Sequence, residues 1–287
     1  MNTMKKRQVG VHVSIAGSLS NAFDRADERG CDCFQIFTKN PRSWKAKPIE
    51  NAEALAFTGR VEQFRPGTVF THISYLPNLA GERPGMHEKS VEALCMELDR
   101  CETLHIPYLV THLGHAGDSD VKGRKRVVRA INTALSGRKP GTTLLLENTA
   151  GERNSVGSTI EDIADVLWQC GEQSRIGICF DTCHAFAAGY DLRDEQSVSQ
   201  VVDLINDNIG LSKLCLIHLN DAKGETGSGL DRHEHIGMGT IGEEGIRSVL
   251  LHPGFSGVPC ICETPVDDRR GDADLVGAGP DRLRRFP

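Results

Sequence analysis

Apolar residues in this chain gather in short runs. Eight of them cover positions 9–13, 33–37, 69–73, 108–112, 143–147, 176–181, 214–218 and 259–263. Each is rich in Val, Ile, Leu or Phe and does not alternate cleanly, as expected of strands buried on both faces. Between the runs the apolar spacing changes to three and four. Over 87–105 one face carries Val91, Leu94, Leu98, Cys101 and Leu104; over 121–135 it carries Val127, Val128, Ile131 and Leu135. Val198, Val201, Val202, Ile205 and Ile209 mark another helix, closed by Gly210. Ser158 with Glu161, and Thr240 with Glu243, read as capping boxes of two more, the second stopped by His252-Pro253-Gly254. Positions 21–29 and 52–64 supply the first two helices. Strands alternating with helices, and no Pro/Gly/Ser linker, predict an α/β fold: one (β/α)₈ TIM barrel domain over 1–287. A doubly wound open sheet is the alternative, but positions 14–18 lack its Gly-rich phosphate turn. Positions 267–287 are an irregular tail, so the eighth helix is poorly specified.

The carboxyl ends of the runs carry the chemistry. The third to eighth end at His72, His112, Glu147, Asp181, His218 and Glu263. Barrel active sites are built at that rim, so six consecutive strands deliver six potential metal ligands to one ring. His184 follows Asp181 by three residues, in what reads as a loop. The bland reading of that pair is a helix-capping Asp181 and a packed core histidine. Asp231 and His233, one residue apart in extended backbone, point the same way and can chelate one ion. Five histidines and four carboxylates suit Zn²⁺ or Mn²⁺ better than Ca²⁺ or Mg²⁺. Nine ligands are too many for one tetrahedral ion and suit a cluster of two or three, with the two oxygens of Glu147 as a bridge. Of the remaining histidines, His12 reads as a group behind the ligands or in the core. His87, His105 and His252 read as surface groups, and His115 and His235 lie near ligands.

Composition narrows the class. At 39 % hydrophobic and 25 % charged residues the chain has the make-up of a soluble globular protein. No run approaches 18 apolar residues, so no membrane span is expected, and the basic start has no apolar segment behind it to form a secretory signal. The ten cysteines lie mostly in apolar runs and make no C-x-x-C pair, which points to reduced thiols in a cytoplasmic protein. The Cys31/Cys33 and Cys260/Cys262 pairs read as strand residues rather than a thiolate site. A net charge of −6 argues against nucleic acid as partner unless metal ions offset the carboxylates.

The stretches Phe-Asp-Thr-Cys-His-Ala-Phe-Ala-Ala-Gly-Tyr-Asp, His-Leu-Asn-Asp-Ala-Lys, Leu-Glu-Asn-Thr-Ala-Gly and Asp-Arg-His resemble the signatures of the endonuclease IV family of apurinic/apyrimidinic DNA-repair endonucleases. Gly-Val-His-Val-Ser and Phe-Thr-Lys-Asn-Pro-Arg-Ser-Trp add to the match, which runs from about Val9 to about Glu263. The resemblance implies a (β/α)₈ barrel holding three Zn²⁺ ions. His72, His112 and Glu147 would hold the first; Glu147, Asp181, His218 and Glu263 the second; His184, Asp231 and His233 the third. It implies a monomer acting on duplex DNA with abasic sites. Arg42 would enter the DNA, and Tyr75 and Leu76 would wedge into the base stack; the bland reading of these two is loop packing. The implied reaction is hydrolysis of the phosphodiester 5′ to the abasic site, leaving a 3′-hydroxyl, with removal of 3′-blocking groups also expected. The nucleophile would be water activated between two zincs, with Glu147 bridging and Glu263 orienting it. Three Zn²⁺ add +6 against −4 from four carboxylates, leaving about +2 at the rim for a phosphate to meet. One departure is Leu113 between His112 and Gly114, where the family often has Pro. Two other readings stay open. A metal-dependent sugar isomerase or epimerase would use Glu147, Asp181, His218 and Glu263 but has no use for the other five ligands. A non-catalytic DNA-binding protein would use the metal structurally.

Overall fold

A computed structural model of the chain describes residues 7–64, 68–117, 119–267 and 269. Eight parallel strands form the barrel: β1 (Val9–Val11), β2 (Phe34–Ile36), β3 (Val69–His72), β4 (Tyr108–His112), β5 (Thr143–Glu147), β6 (Ile176–Asp181), β7 (Leu214–His218) and β10 (Cys260–Cys262). Their order around the sheet is β1-β10-β7-β6-β5-β4-β3-β2. A parallel bridge between His12 and Gln35 joins the two ends, where Gly10 is required: a Cβ there would lie 1.6 Å from the carbonyl oxygen of Cys33. Helices α1 (Asn21–Glu28), α2 (Asn51–Gln63), α3 (Pro84–Thr103), α4 (Asp120–Leu135), α5 (Ile160–Gln169), α6 (Thr182–Ala188), α7 (Glu195–Asn208) and α8 (Gly242–Leu251) complete the units. An antiparallel pair, β8 (Asp221–Ala222) with β9 (His233–Glu234), forms a flap after β7. The expected tail falls outside the described residues except for 267 and 269. Among the described residues no helix is long and apolar enough to cross a membrane.

The barrel has two cores. The larger lies between strands and helices. The smaller fills the barrel and comprises Cys33, Phe70, Val110, Leu145, Cys179, Leu216 and Ile261, the aliphatic and aromatic side chains each contributing about 1.5–3 kcal/mol on burial. Side chains alternate across a strand. The residue two further along each strand therefore faces the same axis, one layer up. Those residues are Gln35, His72, His112, Glu147, Asp181, His218 and Glu263. A hydrophobic layer below thus dictates an inward polar ring above.

Two expected caps differ. Thr159, not Ser158, caps α5 by accepting from the N–H of Asp162. Thr240 does not cap α8; its hydroxyl donates to the carbonyls of Ala222 and Gly224. It is drawn there by the flap, whose hub is Asp221. That buried carboxylate accepts from the N–H groups of Ala222, Gly237, Gly239, Ile241 and Gly242.

Candidate metal centre

Strand register sets the ring. His112 pairs with Glu147 across β4 and β5, and Asp181 with His218 across β6 and β7. Glu263 lies one residue past β10, its N–H held by Oδ1 of Asn220 at 2.8 Å. Glu147 is the hub and is 1 % exposed. Its Oε2 lies 3.0 Å from Nε2 of His72 and 3.4 Å from Nε2 of His112. Its Oε1 lies 2.8 Å from Nδ1 of His218. The two oxygens therefore face different neighbours.

Asp181 does two things at once. The chain after it is not a loop but helix α6, and Oδ1 of Asp181 caps it by accepting from the N–H of His184 at 2.8 Å. Gly189, with φ 115°, ends that helix. The cap fixes the first turn and so carries the His184 ring back over the barrel mouth. Oδ2 stays free of the cap and lies 3.9 Å from Nδ1 of His218 and 3.8 Å from Nε2 of His233. Asp231, on the flap, brings Oδ1 within 3.3 Å of Nε2 of His184 and 3.5 Å of Nε2 of His233.

All nine expected ligands come together, in three groups: His72, His112 and Glu147; Glu147, Asp181, His218 and Glu263; His184, Asp231 and His233. Within each, one ligand atom per residue lies within 4.8 Å of the others. The donor chemistry fits divalent ions. His72, His184 and His233 each spend Nδ1 on a backbone carbonyl, of Ile73, Asn148 and Glu263 respectively. That leaves Nε2 facing the carboxylates, the arrangement that orients metal-ligating imidazoles. Nε2 of His233 is buried with no hydrogen-bond partner, a cost that an ion would remove. Cys179 and Cys183 also come within reach of such groups. Burial pushes both thiols up, Cys179 to about 12.

The side chains perturb each other strongly. Burial disfavours a charged His184, but the carboxylates of Asp181, Asp231 and Glu147 outweigh it and hold the ring well above the usual histidine value. Burial also opposes a charged His218, but Cys179, Glu263 and Glu147 outweigh it and hold the ring well above the usual value. For His112 burial wins and the value falls. Burial opposes ionisation of Glu147, yet His112 and His218 hold it well below the usual value. Glu263 is likewise held at about 2 by His218 and His72, against burial and the like charge of Glu147.

The three expected DNA contacts sit beside this mouth. Arg42 is exposed on the loop after β2, and Leu76 is half-buried. Tyr75 is 67 % exposed, its ring edge-on to Phe37 at 5.2 Å. The N–H of Tyr75 donates to the carbonyl of Pro41 at 3.3 Å, which ties the two loops together. Leu113, at the family's usual Pro, is fully buried and leaves His112 in place. His12 lies behind Glu263 at 3.9 Å. His235 is buried and bonded to Asp267, and neither it nor His115 belongs to a cluster among the described residues. His252 is no bare surface group: its ring accepts from the N–H of Gly254 and meets Ser199.

Sequence reasoning missed the groups that brace the ring. Asn148 exchanges two hydrogen bonds with the backbone of Asp181. Asn220 donates to Oδ2 of Asp181 at 2.7 Å. Gln35 bonds both His218 and Glu263. The available signal was their position: Asn148 immediately after a ligand, Asn220 two residues after one, and Gln35 two residues after the inward Cys33.

The sequence matches a family model described as xylose isomerase-like TIM barrel over residues 23–286. A protein of Methanoculleus marisnigri named probable endonuclease 4 is 54 % identical over 270 residues, covering 93 % of this chain and 96 % of that protein. A protein of the same name from Cenarchaeum symbiosum is 46 % identical over 274 residues, covering 94 % and 98 %. The crystal structure of endonuclease IV from Thermus thermophilus superposes with a TM-score of 0.85 at 34 % identity, covering 97 % of this chain and 99 % of that one. A D-tagatose 3-epimerase-like protein superposes with a TM-score of 0.71 at 18 % identity, covering 96 % of each chain; that likeness is one of fold alone. With such identity over nearly the whole length of both relatives, the chain belongs to the endonuclease IV family of DNA-repair endonucleases.

Proposed function

We propose that this protein is a zinc-dependent apurinic/apyrimidinic endonuclease. It hydrolyses the phosphodiester 5′ to an abasic site in duplex DNA, leaving a 3′-hydroxyl and a 5′-deoxyribose phosphate. Removal of 3′-blocking groups is the same hydrolysis at a strand end. The observation that carries the reading is the set of three clusters, two of which share Glu147. Three Zn²⁺ ions would be held by His72, His112 and Glu147; by Glu147, Asp181, His218 and Glu263; and by His184, Asp231 and His233. Bound zinc supplies Lewis acidity toward the phosphate and brings the pKa of water toward neutrality.

The chain's own residues do the rest. Glu147 sets the spacing of the first two sites through its two oxygens. Glu263 is the least enclosed carboxylate of its cluster, with its side chain 21 % exposed, and can orient the attacking water. His184, Asp231 and His233 sit toward the flap, where charge on a departing oxygen needs offsetting. Arg42 pairs with backbone phosphate, and Tyr75 and Leu76 fill the gap in the base stack. An abasic sugar has no base to unpair, so its extrusion costs less than flipping a paired nucleotide.

A sugar isomerase or epimerase reading draws on the shared fold and on Glu147, Asp181, His218 and Glu263. The cluster of His184, Asp231 and His233 favours the nuclease. Metal analysis of zinc-reconstituted protein separates them. The nuclease reading expects close to three ions per chain; a single ion removes it in favour of the sugar enzyme.

A further inference from the structure

Gln35 is a fully buried polar residue on a barrel strand, and its amide meets two residues of the ring and His12 behind it. Its Oε1 accepts from Nε2 of His218 at 2.9 Å. Its Nε2 donates to Oε1 of Glu263 at 2.8 Å and to Nδ1 of His12 at 3.1 Å. An ionised carboxylate only accepts, so Glu263 fixes which way the amide points. His218 is then the exception among the clustered histidines. His72, His112, His184 and His233 turn Nε2 toward the carboxylates. His218 turns Nδ1 toward Glu147 and Glu263, at 2.8 and 3.2 Å, because its Nε2–H is committed to Gln35.

We propose that Gln35 is a positioning residue that selects Nδ1 of His218 as the metal-facing nitrogen and holds Glu263 with Oε2 turned to the same ion. This rests on the metal-centre reading above. The physical argument is one of committed donors. A neutral imidazole has one N–H; giving it to Gln35 leaves the lone pair of Nδ1 for the ion. Glu263 has no strand behind it, lying past the end of β10. Holding Oε1 restrains its side chain and leaves Oε2 for the ion. The same amide therefore serves two ligands of one site. An ordinary satisfied core glutamine would leave metal retention untouched when replaced by an apolar residue of equal length.

The test uses the full-length protein reconstituted with zinc. Gln35→Met keeps the length and removes all three hydrogen bonds. Gln35→Glu keeps an acceptor for His218 but sets a carboxylate against Glu263, and serves if the first variant fails to fold. Bound zinc is followed as a chelator is titrated in, and kcat and KM are measured on a duplex with an abasic analogue. Both variants are expected to lose one ion per chain about ten- to a hundredfold more readily than the parent. kcat falls in the same range while KM holds. A chelator curve and kcat coinciding with the parent's overturn the role of Gln35 alone. A parent protein that retains no zinc overturns the metal-centre reading and this inference with it.

Discussion

Oε1 of Glu147 lies 2.8 Å from Nδ1 of His218, while the other oxygen of that carboxylate is 3.0 Å from Nε2 of His72. One buried side chain thus belongs to two groups of potential ligands. Glu147→Gln keeps the shape but replaces one oxygen by an amide nitrogen, which donates and cannot ligate. The expected result is loss of more than one zinc per chain and a drop in incision of about a thousandfold. Metal analysis and an incision assay on the same preparation check it; near-normal activity would remove the bridging role.

Tyr75 carries a second prediction. At 67 % exposure its ring contributes little to the fold, so Tyr75→Ala should change stability by no more than about 0.5 kcal/mol. A ring that stacks in the lesion is worth about 1–3 kcal/mol. KM for abasic duplex should therefore rise about ten- to a hundredfold, with zinc content unchanged. Unaltered KM would return Tyr75 to loop packing.

What was legible in the sequence follows from how short-range each determinant is. Strands buried on both faces read as apolar runs, and a run ending in His, Asp or Glu announces an inward residue at the rim. His72, His112, Glu147, Asp181 and His218 follow that rule. Asp181 yielded to both readings: one oxygen caps α6 and the other faces the ring. His184 was legible as a residue but not as part of a helix, because a seven-residue helix held by one cap leaves no periodicity. Gln35 was opaque because its partners, His218 and Glu263, lie 183 and 228 residues away. Thr240 misled because the flap, 16 to 18 residues earlier in the chain, claims its hydroxyl.

Lys39 and Glu97 supply a prediction about the loops of Arg42 and Tyr75. They are 6 % and 1 % exposed, with Nζ 3.7 Å from Oε1. Nζ also donates to the carbonyl of Ser43 at 2.6 Å and the hydroxyl of Ser74 at 3.2 Å. The pair therefore anchors the loop of Arg42 to the residue preceding Tyr75. Glu97→Ala leaves a buried ammonium without its counter-charge and should cost about 3–5 kcal/mol, read by urea denaturation. Lys39→Met combined with Glu97→Leu should recover most of that. A single variant as stable as the parent would mean that the ammonium finds water.

The pH dependence of stability has a definite sign. In protein stripped by a chelator, His184 and His218 are held well above the usual histidine value. Their contribution is full below about pH 6.5, the unfolded value, and is lost as pH rises through the raised folded values. Glu263 and Asp231, both held at about 2, contribute above the unfolded carboxylate value and lose it as pH falls toward about 2. Stripped protein should therefore melt at progressively lower temperature as pH rises above about 6.5. Zinc-loaded protein should not, because ions replace protons on the same atoms and loading releases those protons. Parallel melting curves for the two forms across that range would contradict this coupling.

The activity proposed for these clusters is cleavage of DNA at abasic sites. The direct measurement is incision of a duplex carrying one tetrahydrofuran abasic analogue, with zinc-reconstituted protein beside a chelator-stripped control. The expected result is a single cut on the 5′ side of the analogue, leaving a 3′-hydroxyl that a DNA polymerase extends, and no cut in the control. Intact duplex in the presence of excess zinc, or a cut that leaves a blocked 3′ end, would contradict it.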